Sequence, residues 1–206
     1  MYLAVSSWGL LANPLLADAH RIRETDWKDG VIILSSQEVL SGQLFHDHIH
    51  SLVLLRSDSN DLVKTFTVHQ VQSFRYYDPQ DNIIHDFLSL AYQSPSSYPM
   101  RGFYEVVSEG DVLYVRQHNH CPLEPPREVN AHTIAYNYFA FYRGKLVRAH
   151  QFEKGLLPAL IQEDPTLAGY MKEQHLKPYD VGDQILLINY FNHVPSVPLA
   201  DLAPSS

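Results

Sequence analysis

The chain has 206 residues, 45 % of them hydrophobic, a formal net charge of −8 and no Lys/Arg cluster. That length suits one domain with a sizeable core. The apolar share argues against disorder throughout, and the charge argues against a nucleic-acid-binding surface. One cysteine, Cys121, leaves no intramolecular disulfide and no Cys-rich zinc site.

Residues 1–19 form an apolar run without Lys or Arg, ending in Ala17-Asp18-Ala19. An A-x-A ending after an apolar stretch is the pattern of a signal-peptide cleavage site. The expectation is a truncated signal peptide and a periplasmic or otherwise exported protein. An apolar arm packed on a cytoplasmic domain is the alternative. No segment is long and apolar enough to span a bilayer as a helix.

From Trp27 to about His150, short apolar runs alternate with turn signals. Asp29-Gly30 opens a strand over Val31–Leu34, and a second runs Val39–Phe45, where Gly42 signals a bulge or a close backbone approach. Ser51–Arg56 is a third. Residues 63–70 alternate with period two. Phe74–Tyr77 leads into the turn at Asp78-Pro79, where Pro presets the second position, and Ile83–Leu90 follows. Two hairpins are the clearest local features: Phe103–Val107 with Val112–Val115 around Glu109-Gly110, and Ile134–Tyr142 with Lys145–Val147 around Arg143-Gly144. The strand at 134–142 is apolar on both faces, which predicts a central or covered position. Between the hairpins, His118–Asn130 contains three prolines and predicts a long loop.

After His150 the spacing becomes helical. Leu156, Leu157, Leu160 and Ile161 share a face, with Pro158 in a first turn. Asp164-Pro165 restarts a helix. Asp180 and Asp183 resemble a capping box before a helix to about Asn192, with Val181, Gln184, Ile185, Ile188 and Phe191 near one face. Strands first and helices last predict an α+β fold: an antiparallel β-meander, either a curved sheet or a partly open barrel, followed by about three short C-terminal helices. One domain is expected over residues 20–192, helical from about 154, with a tail over 193–206.

Histidine is the unusual chemical signal, with 12 copies. His46, His48 and His50 would share one face of a strand and offer ligands to zinc or a similar transition metal. A polar turn is the alternative. His118-Asn119-His120-Cys121 is a second cluster, able in principle to hold a soft metal or activate a thiolate. Glu105 is expected on a solvated outer face. The loop at Asp58–Asp61 has calcium-friendly residues without EF-hand spacing. Tyr136, Tyr138 and Tyr142 either pack in the core or line a ligand pocket. No nucleophile elbow, phosphate loop or dinucleotide fingerprint is present.

The order Trp27-Lys28-Asp29-Gly30-Val31-Ile32-Ile33-Leu34 then Ser41-Gly42-Gln43-Leu44, the segment Phe103-Tyr104-Glu105-Val106-Val107-Ser108-Glu109-Gly110, and the close Asn189-Tyr190-Phe191-Asn192 are together similar to uncharacterised exported proteins of Bacteroidetes. The resemblance covers about residues 27–192 and implies a β-rich fold behind a signal peptide; it carries over no functional residue. Three functions stay open: a non-enzymatic exported domain binding a protein partner or small ligand, a His-based metal-binding protein, and a hydrolase whose site has no recognisable motif.

Overall fold

A computed structural model describes residues 22–57, 62–93, 99–118 and 136–193. Residues 1–19, the Asp58–Asp61 loop, His120, Cys121 and the tail after His193 lie outside the described residues, as do Ile134 and Ala135.

Ten strands form one antiparallel sheet: β1 (Lys28–Leu34), β2 (Val39–Asp47), β3 (Leu52–Arg56), β4 (Val63–Thr67), β5 (Val71–Asp78), β6 (Ile83–Gln93), β7 (Pro99–Ser108), β8 (Leu113–His118), β9 (Tyr136–Tyr142) and β10 (Lys145–Arg148). Their order across the sheet is β10-β9-β8-β7-β6-β5-β1-β2-β3-β4. Helices α1 (Phe152–Gly155), α2 (Leu157–Glu163), α3 (Thr166–Glu173) and α4 (Val181–His193) follow. The fold is therefore α+β, as the order of periodicities predicts, with four helical segments where about three were expected.

The sheet curls without closing. β2 and β7 are four strand spacings apart, about 19 Å in a flat sheet, yet the His46 ring lies 5.8 Å from that of Phe103. His48, just past β2, stacks on His118 of β8 with ring centroids 4.5 Å apart. Inside the curl a core forms from Ile32, Leu44, Val53, Leu55, Phe66, Val71, Phe74, Phe87 and Phe103. Gly42 supports the curvature by close approach: a Cβ there would lie 2.5 Å from the Arg56 carbonyl oxygen.

A second core lies between the helices and the β7–β10 end, where Val112, Tyr114, Ala140 and Tyr142 meet Phe152, Leu160, Leu167, Leu187 and Ile188. β9 is covered on both faces, as its apolar pattern predicts, although it sits one strand from the edge. Its other face packs Phe139 with Tyr104 and Val115. The helix starts follow the sequence signals. Pro158 stands in the first turn of α2, and the Asp164 carboxylate accepts from the Thr166 amide at 2.9 Å. Asp180 accepts from the Asp183 amide at 3.1 Å, while Asp183 turns to the Lys177 amide at 2.8 Å, so only half of the capping box forms. The C-terminal turn of α4 grips the β7–β8 hairpin. Asn192 accepts from the Val112 amide at 2.9 Å and donates to the carbonyls of Val112 and Glu109.

Candidate functional site

The register places Ile32, Phe74, Phe87, Glu105, Arg116 and Tyr138 opposite one another across six strands, on one face. The row is apolar as far as Phe87 and then becomes charged. Glu105 is only 6 % exposed, which corrects the expectation of a solvated outer-face residue. The reason is non-local: both faces of β7 are covered, so Phe103 and Tyr104 are buried alike, and alternation along the strand cannot show which side is wet.

Glu105 is fully engaged. Arg116 donates from Nε to Oε2 at 2.7 Å and from Nη2 to Oε1 at 2.6 Å, a bidentate pair. Nδ1 of His85 lies 2.7 Å from Oε1. Burial raises the Glu105 pKa, but the hydrogen bonds and charges of Arg116 and His85 outweigh it and hold the carboxyl below its ordinary range. Burial likewise opposes the charge on Arg116, and Glu105 more than restores it. A carboxylate held ionised in this way is unsuited to act as a general acid, which requires a raised pKa. It neutralises and orients Arg116 instead.

Arg116 in turn meets two tyrosines. Its guanidinium lies 4.2 Å from the Tyr136 ring centroid, and the neighbouring Tyr138, its partner in the register, favours its charged form. Beyond Tyr136 the rings continue through His118 at 4.5 Å to His48 and then to His46, 6.4 Å from His48. His46 meets Phe74, Phe87 and Phe103 edge-on. A hollow of about 10 Å³ lies among these groups, room for about one water.

Of the three histidines singled out by spacing, the structure brings His46 and His48 to this mouth and leaves His50 apart. β2 ends at Asp47 and the chain turns over 48–51, so strand alternation stops before His50. His50 is exposed, with Nδ1 2.7 Å from Asp47 Oδ2. Among the described residues, the set whose ligand atoms lie within 4.8 Å of one another is Asp78, Asp81 and His85. Lys28 Nζ already donates to Asp78 at 3.1 Å. His118 is the last residue of β8, paired with Tyr136, where a loop was expected.

A larger cleft, of about 230 Å³, opens on the other side of Tyr136. Residues Tyr136, Asn137, Tyr138 and Phe139 of β9 line one wall, with the Tyr136 and Tyr138 rings on the helix-facing side. Arg148 and His150, at the turn from β10 to α1, form one rim, and Tyr179 and Val181, at the start of α4, form the other. Gln184 ties the rims together. It is fully buried, and its amide donates to the carbonyls of Ala149 at 3.0 Å and Pro178 at 2.8 Å while its oxygen accepts from the Tyr114 hydroxyl at 2.7 Å. Tyr136 and Tyr138 thus line a cleft. Tyr142 does not: it is buried at the helix interface, and its hydroxyl donates to Glu163. Sequence reasoning placed Gln184 on the helix face and assigned no role to Arg148, His150 or Tyr179; no local pattern marks them. No protein-family model, curated protein or solved structure matches this chain.

Proposed function

We propose that this chain is an exported, non-catalytic domain that binds a small ligand in the cleft between β9, the β10–α1 turn and the start of α4. One observation carries the reading: both rims are held by a single buried amide, that of Gln184, so the cleft is formed before any ligand arrives. Preorganisation of that kind lowers the ordering cost of binding. The paired state of Glu105 supports a positioning role over a catalytic one. Export rests on the Ala17-Asp18-Ala19 ending and on the resemblance described above, and N-terminal sequencing of the protein from its host tests it.

Amide and methyl NMR spectra of the purified chain, recorded against a library of neutral and charged single-ring compounds, test the binding. Shifts should cluster at Tyr136, Ala149, Tyr179 and Val181, and Ala149→Phe should abolish them. A library that moves none of these resonances removes the proposal.

The Asp78, Asp81 and His85 group favours a second reading, divalent-metal binding. Glu105, on Nδ1, orients His85 as carboxylates orient metal-bound histidines, leaving Nε2 as the ligand nitrogen. Zinc titration of wild type and His85→Ala decides it; equal, weak uptake by both removes the reading.

A further inference from the structure

We infer that the ligand of this cleft is a small aromatic carboxylate, an inference that rests on the cleft being a ligand site. Three features point to that class. The first is charge. In a chain of net charge −8, the lining supplies Arg148 and His150 and no carboxylate. The neighbouring Asp180 is turned to the Asp183 amide as the cap of α4. Arg148 lies 6.0 Å from the Phe139 ring centroid and has no ion pair or hydrogen bond among the described residues, so its five donors remain available for a planar, bidentate acceptor. The second is surface. The β9 wall is aromatic, and Tyr179 stands on the rim 69 % exposed. An exposed ring opposite an aromatic wall suits a flat apolar body inserted between them. The third is size. About 230 Å³ lies below the range of about 300–1,000 Å³ for drug-sized ligands, which fits one ring with a short acid. A carboxylate at Arg148 and His150 places the ring along the β9 wall of the cleft, toward Tyr138.

Benzoate, benzamide and acetate, titrated into the full chain and followed by chemical shift, separate the terms. Benzamide keeps the ring and loses the charge, and acetate does the reverse. Benzoate should bind at the cleft at least about tenfold more tightly than either, since a charge-assisted hydrogen bond and a buried ring are each worth that much. Arg148→Gln should weaken benzoate about tenfold to a hundredfold and leave benzamide unchanged; Tyr179→Ala should weaken both ring compounds. Both side chains are exposed at the rim, so the fold should survive, and melting curves check this. If benzamide equals benzoate, or Arg148→Gln leaves benzoate unchanged, the carboxylate is wrong and the cleft remains a ligand site. If acetate equals benzoate, the ring is wrong. If no ring compound, charged or neutral, shifts the cleft resonances of the folded protein, the binding reading fails with it.

Discussion

Replacing Glu105 by Gln keeps the shape of the side chain and removes its charge, which isolates what the carboxylate does for Arg116. Breaking a buried ion pair by neutralising one partner costs about 3–5 kcal/mol, because the survivor remains charged in a poor solvent. Two features reduce this. Glutamine keeps one acceptor, and Arg116 retains 26 % of its side-chain exposure, so the expected loss is about 2–3 kcal/mol. Urea denaturation followed by far-ultraviolet circular dichroism measures it. The double change Glu105→Met with Arg116→Met should cost less than Glu105→Gln alone, because no uncompensated charge remains. The pH dependence supplies a second arm. The folded Glu105 pKa lies below its unfolded value, so its contribution is fully present above the ordinary glutamate value of about 4.3 and is lost as pH falls through the lower folded value. The stability gap between wild type and Glu105→Gln should therefore not narrow between neutral pH and about pH 5, and should close only in stronger acid. A loss below about 1 kcal/mol, the size of a solvent-screened pair, or a gap that closes near neutrality, would refute the account of Glu105 as a desolvated, ion-paired group.

Gly110→Ala should destabilise the β7–β8 hairpin by about 1–3 kcal/mol, since a Cβ at φ +151° would lie 2.3 Å from the Asn192 side chain; a urea midpoint matching wild type would show that α4 does not grip the turn. Gln184→Leu leaves the Tyr114 hydroxyl and two carbonyls without their partner, and should cost about 2–4 kcal/mol and broaden the Ala149 and Tyr179 amide resonances. Sharp, unshifted signals there would separate the amide from the rims. Tyr142 has its pKa pushed up to about 12 by burial and by the Glu163 carboxylate that its hydroxyl bonds. Because the folded value is the higher one, this contribution is complete below the free-tyrosine pKa of about 10 and is lost as pH rises through about 12. Burial also holds Tyr76, Tyr104 and Tyr114 above the free-tyrosine value, so phenolate absorbance should show several late-ionising tyrosines, and Tyr142→Phe should remove only the step near pH 12.

Strands and helix starts are legible in the sequence because their causes are local: period-two alternation, Gly and Pro at turns, Asp164 ahead of Thr166. Strand ends are less so. β2 runs on to Asp47 and carries His46 into the curl, and β8 runs on to His118, because the partners Val53 and Tyr136 lie there to receive them. Proline-based reading of 118–130 as loop had no means of seeing that pairing. The two polar groups that organise the site lie further out of reach. Glu105 sits between Tyr104 and Val106 on a strand covered on both sides, and its partners His85 and Arg116 are 20 and 11 residues away. Gln184 occupies an apolar helix face, and the groups it satisfies lie at 114, 149 and 178. Local periodicity shows that such residues point inward; only the fold shows what they meet there.

The location of the cleft follows from how one face of β8 and β9 is covered. Tyr136, Tyr138, Ala140 and Tyr142 share a face of β9, and Tyr114 and Arg116 are the corresponding residues of β8. At Tyr114, Ala140 and Tyr142 that face is sealed by the helices. Toward the curl it is sealed by Phe87 and Phe103. Arg116 and Tyr136 fall between the two coverings, and Tyr138 packs at the margin of the helix-side core. An apolar side chain there would have been left half wet. The chain places an arginine instead, neutralised from below by Glu105, and spreads tyrosine rings over it that keep a polar edge toward solvent. The charged nest and the cleft are therefore two sides of one boundary: the first fixes the position of the tyrosines, and the second is the surface those tyrosines expose.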